Sequence, residues 1–151
     1  MLDALARAEF GLYRLLGPAA EGGVAAERLP GGDRLRIWDN FLGAQPSGRL
    51  AGLRIAWPEA DLAMTCGVVA PVDARVLEAL LLGAPPARGP VVPRQPAPVE
   101  ADAAAVERLM AEPAARLRLG ELLRGPGLAA RVYRAAIDAG LVGPVPGRMP
   151  G

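Results

Sequence analysis

A chain of 151 residues with 52% hydrophobic side chains and a formal charge of +1 holds enough apolar material for one ordinary domain, or a small domain with a helical appendage. It contains no His, no Lys and a single Cys, and all seventeen basic residues are Arg. That excludes Ser–His–Asp and Cys–His catalysis, a Schiff-base or phosphate-loop lysine, and Cys/His zinc sites within this chain.

Arg clamps anions but stays protonated, so acid–base chemistry falls to carboxylates alone. Glu9, Asp39, Glu59 and Asp61 are the candidates for a carboxylate-only enzyme, and no shared spacing links them. Ser47, Thr65 and Asn40 are each the sole residue of their type. A GC-rich genome favouring Ala, Arg, Gly and Pro codons accounts for this bias. No pattern implies a cofactor or a metal. No apolar run reaches the roughly 18 residues needed to span a bilayer, and no basic-then-apolar leader opens the chain. These features lead us to expect a soluble, cytoplasmic protein without membrane insertion.

Met1 to Leu16 reads as an amphipathic helix ended by Gly17-Pro18, with Leu2, Leu5, Leu12, Tyr13 and Leu16 on one face. Glu9 then falls inside the apolar face. It is a candidate buried acid, unless it pairs with an Arg of the sheet or the helix boundary is misplaced. Pro18 to Asp33 reads as a loop, and its two diglycines follow no strand, so they make no dinucleotide fingerprint. Arg34 to Leu42 alternates as a half-buried strand that bends at Asp39-Asn40. Gly43 to Gly52 is a loop in which Ser47 suits turn chemistry.

Leu53 to Trp57 and Leu62 to Val69 form the strongest strand pair, joined by a Pro58–Asp61 turn. Gly67 marks a bulge or a close backbone approach, and Cys66 reads as a buried, inert thiol. The following helix begins at Asp73, a good N-cap, and ends at Gly83. Val76, Leu77, Leu80 and Leu81 line its inner face; Leu82 falls near the charged side, which asks for a cover from the tail or from a partner.

Ala84 to Val99 holds six prolines in sixteen residues, a semi-rigid linker whose PVVP and PRQP segments are candidate ligands for a proline-binding module. Beyond it, Asp102 is expected to cap Ala103 to Glu112. Pro113 opens a helix to Arg124, and Gly125-Pro126-Gly127 breaks to Leu128–Ala139. The last nine residues read as a frayed end.

The expected architecture is therefore α+β. A body over 1–83 carries a small three-stranded antiparallel sheet with two helices in the order α-β-β-β-α. A linker over 84–99 and a helical tail over 100–142 follow. Charge divides unevenly: residues 1–112 carry 11 Arg against 14 acids, and residues 113–151 carry 6 Arg against 2. A basic helix–GPG–helix unit has the outline of a helix-turn-helix, with Arg131 and Arg134 where base and phosphate contacts would lie and Arg116, Arg118 and Arg124 in reach of phosphates. Its second helix is alanine-rich and lacks residues that read bases. The competing reading, which we favour, is a non-catalytic subunit of a larger assembly. It would meet a protein partner, or a second copy of itself, through Leu82, Leu117 and these arginines.

Overall fold

The computed structural model describes residues 2–39, 42, 47–67, 69–83 and 99–141. The expected linker, apart from Val99, and the frayed end lie outside the described residues. The class is α+β, as expected, but the sheet is larger and closed.

A one-and-a-half-turn helix α1 (Leu2–Ala6) precedes β1 (Glu9–Pro18), β2 (Val24–Arg28), β3 (Arg34–Trp38), β4 (Leu50–Glu59), β5 (Leu62–Thr65) and β6 (Ala70–Val72). Then follow α2 (Ala74–Leu82), α3 (Val99–Ala111), α4 (Pro113–Arg124) and α5 (Leu128–Asp138). The strand order is β1-β2-β3-β5-β4, and β4 returns to pair with β1, so five strands close into a barrel. Every pairing is antiparallel except β3 with β5, where Ile37 faces Ala63. β5 and β6 lie in succession along the same edge of β4: Thr65 pairs with Ile55, and Ala70 pairs with Gly52. Gly67, at φ +83°, sits in the gap between them; it is neither the bulge nor the close backbone approach expected of it, since β5 already ends at Thr65 and a Cβ there would meet nothing within 4 Å.

The three-stranded sheet expected from the sequence is thus corrected to six strands, and the N-terminal helix to a short turn followed by a ten-residue strand. The reason is burial on both sides. Leu12 of β1 packs toward the helices, while Tyr13 and Leu15 pack into the barrel with Val24, Ile37, Leu53 and Ile55. A strand covered on both faces shows a near-continuous apolar run rather than alternation, and that of β1, interrupted only by Arg14 between Phe10 and Leu16, also fits a helix wheel. The supposed loop 18–33 hides β2, whose Val24-Ala25-Ala26 is too small and too short to announce itself. Gly23 is required where this strand begins. It has φ +73°, and a Cβ there would lie 2.6 Å from the carbonyl oxygen of Ile37.

The outer wall formed by β1, β4 and β6 is apolar too, and the helices cover it. Leu12, Leu50, Ala70 and Val72 share one core with Val76, Leu77 and Leu80 of α2 and with Val106, Leu119, Leu122, Leu128 and Val132 of α3 to α5. Gly52 makes this contact close, since a Cβ would meet the Phe10 ring at 2.6 Å and Val132 at 3.3 Å.

α2 has the caps its sequence announces: the Asp73 carboxylate accepts from the Val76 N–H at 3.0 Å, and Gly83 ends it in the left-handed conformation. Asp102 corrects another expectation. It lies inside α3 rather than at its cap, and accepts from the Ala74 N–H of α2 at 2.8 Å. No helix among the described residues is long and apolar enough to cross a membrane.

Candidate functional site

α5 is the most sharply amphipathic element. Leu128, Val132, Ala135 and Ala136 recur at helical spacing and are buried against β6, β1 and α2. Its other side, carrying Arg131, Arg134 and Ile137, stays exposed. Between α2, α4 and α5 this leaves an open groove of about 870 Å³. Ala79 and Leu80 of α2, Leu122 of α4 and Ala135 of α5 form its apolar floor, and Ile137, 54% exposed, extends it. Arg118, Arg131 and Arg134 stand around it with a single acid, Asp138, 3.6 Å from Arg134.

Three of the seven residues expected to meet a partner therefore converge on one groove. Leu82, 71% exposed, precedes Gly83 at its edge. Leu117, 64% exposed, is on the outer face of α4 and does not line the groove. Arg116 turns back to donate to the Met110 carbonyl at the end of α3, and Arg124 points to a different cleft beside the barrel. Arg118 is 3.6 Å from Glu121 of its own helix, an exposed pair of little energetic weight. Tyr133 and Ile137 also line the groove: the sequence does not single out Tyr133, and Ile137, which the apolar spacing assigns to the buried face with Leu128, Val132 and Ala136, is exposed instead, its place in the core taken by Ala135.

The candidate buried acid is also corrected. Glu9 opens β1 with its carboxylate 78% exposed and 4.0 Å from Arg28, because the helix that would have buried it does not form. Asp39 follows β3, where it accepts from the Thr65 hydroxyl and the Leu42 N–H. Glu59 and Asp61 are exposed around the β4–β5 turn. Among the described residues no three acidic or Cys side chains gather to hold a metal ion. Cys66, just past β5, is only half-buried.

Order β1-β2-β3-β5-β4-β1 with one parallel contact is an OB-like arrangement, and barrels of that kind use the β2–β3 face and its loops for oligonucleotides and oligosaccharides. That is an analogy of architecture and must be tested on chemistry. Trp38 is exposed on this face, with the Arg36 guanidinium 4.9 Å from its ring centre. Arg36 is tied to Glu21 at 2.9 Å, and Arg34 pairs in register with Glu27. A single-strand track needs excess positive charge beside its stacking platform, and here acids match the arginines. Comparison with family models, with curated proteins and with solved structures returns no match.

Proposed function

We propose that this chain is a non-catalytic binding subunit whose α2–α4–α5 groove receives an acidic, amphipathic helical segment of a protein partner. The observation that carries this reading is the pairing of an apolar floor with a cationic rim in one groove. Leu80, Leu122, Ala135 and Ile137 suit the apolar anchors of a helix laid in a groove, while Arg118, Arg131 and Arg134 suit acids on its flanks. Arg is favoured at protein interfaces because its planar fork pairs with carboxylates at low hydration cost.

The test is co-purification of the tagged chain from its native cell, eluted in rising salt, for wild type, an Arg131→Glu/Arg134→Glu variant and an Arg116→Gln control. The reading expects a stoichiometric protein that wild type and control retain and the charge-reversed variant loses. Nucleic acid eluting in one steep salt step, lost in the same variant, would replace it with the helix-turn-helix reading.

A further inference from the structure

A second cleft of about 650 Å³ lies where the barrel meets the turn between α4 and α5. Three arginines from three elements line it: Arg28 of β2, Arg54 of β4 and Arg124 of α4. One carboxylate, Glu9, lines it with them, 4.0 Å from Arg28 and mostly in solvent. Past Phe10 a smaller recess of about 320 Å³ shares Phe10, Arg54 and Ala129 with the cleft and adds Tyr133, Cys66 and Gly67. Arg54 thus stands at the junction of a cationic space and an aromatic one. The Phe10 and Tyr133 rings are 6.4 Å apart and inclined at 43°. Burial raises the Tyr133 hydroxyl above its ordinary pKa, and the positive charge of Arg54, which lines the same recess, pulls it the other way.

We propose that this cleft binds a small organic phosphate carrying a planar ring, with the phosphate among Arg28, Arg54 and Arg124 and the ring in the recess beside Phe10 and Tyr133. Charge fits: three guanidinium groups against one carboxylate leave an excess of two, and a phosphomonoester carries about −1.5 to −2 at neutral pH. Donors fit as well. Arg54 spends one N–H on the Ala8 carbonyl at 3.2 Å, which positions its fork while other N–H groups remain for phosphate oxygens. The combined space is of ligand size by the usual range of about 300–1,000 Å³. Sequence separation hides the site, since its arginines lie at positions 28, 54 and 124. It uses none of the groove-rim arginines, although Tyr133 lines both the recess and the partner groove.

The test is titration calorimetry on the full chain with adenosine and uridine 5′-monophosphates, ribose 5-phosphate and adenosine. At least one nucleotide should bind, with Kd at or below about 1 mM. Ribose 5-phosphate and adenosine, each lacking half of the proposed contacts, should bind about tenfold more weakly or worse. Arg54→Gln and Arg124→Gln should each weaken the nucleotide about tenfold, the weight of one charged hydrogen bond. Arg131→Gln, in the other groove, should leave the affinity unchanged. Arg124 is exposed and Arg124→Gln should not disturb the fold, which a thermal melt verifies. Absence of nucleotide binding at about 5 mM, well above the expected Kd, would overturn the proposal. So would equal affinity in a folded Arg124→Gln variant, or ribose 5-phosphate binding as tightly as the nucleotides.

Discussion

Asp102 is the contact through which the first helix after residue 99 grips α2, and its replacement separates two effects of one buried carboxylate. The residue is 5% exposed; one oxygen accepts from the Ala74 N–H at 2.8 Å, and the other is buried without a hydrogen bond. Asp102→Ala removes the acceptor and should cost about 1.5–3 kcal/mol, the range for a hydrogen bond to a charged group. Asp102→Asn keeps an oxygen for Ala74 and removes the buried charge, so at neutral pH it should stay within about 1 kcal/mol of wild type. The pH dependence has a definite sign. Burial raises the Asp102 pKa above the ordinary carboxylate value, and Asp73 adds to the rise; the Ala74 hydrogen bond and the charges of Arg49 and Arg75 oppose it without reversing it. The folded state therefore holds this proton more tightly than the unfolded chain. Its contribution is complete below the unfolded pKa and is lost as pH rises through the folded one. Urea unfolding followed by Trp fluorescence, from about pH 4 to about pH 8, should show this loss in wild type and not in Asp102→Asn. Equal costs for the Ala and Asn variants, or identical pH profiles for wild type and Asn, would refute the reasoning.

Other substitutions probe the fold directly. Leu77 is fully buried in the shared core, so Leu77→Ala should cost about 2–5 kcal/mol by denaturant unfolding; a loss under about 1 kcal/mol would mean that α2 packs elsewhere. Gly23→Ala combines a left-handed backbone with a clash against the Ile37 carbonyl, and should cost about 1–3 kcal/mol with early loss of β2–β3 amide protection in hydrogen exchange. Arg118→Ala removes only an exposed pair, and its melting temperature should match wild type.

What the sequence made legible was local. The Asp73 and Gly83 caps and the spacing of Leu128, Val132 and Ala136 each report on neighbours within a few residues, and each is found where its chemistry places it; the Pro58–Asp61 turn narrows to Ala60-Asp61, because Pro58 and Glu59 stay in β4, and Ile137 faces outward. What it hid was long-range. The barrel closes because Glu9 pairs with Ile55 and Arg14 with Leu50, contacts that no window of the chain contains. Glu9 was misplaced for the same reason: on a helix wheel it faces a core, and on a strand it faces water. Asp102 has the composition of a cap and is one, but for α2 rather than for its own helix. Of the groove, Arg118, Arg131 and Arg134 are legible in the sequence because they fall on the exposed, charged faces of their helices. Their convergence depends on how α4 and α5 lean on α2.

That leaning gives the helices after residue 99 a structural weight that their place beyond a proline-rich stretch conceals. Closing the barrel satisfies its strand edges, yet the outer wall of β1, β4 and β6 remains as apolar as the inside. Among the described residues sixteen buried ones make up the outer core, and eight of them, from Val106 to Ala139, belong to α3, α4, α5 and the residue that caps α5. A chain ending at residue 98 would keep the barrel's inner core but present Leu12, Leu50, Val72 and Leu80 to water, a patch of the kind that drives association. Such a truncation should aggregate, or bind a hydrophobic dye strongly, under conditions where the full chain does neither. If instead it were monomeric, dye-silent and as stable as the full chain, the helices would be a separable appendage. The groove would then have to be explained without the barrel beneath it.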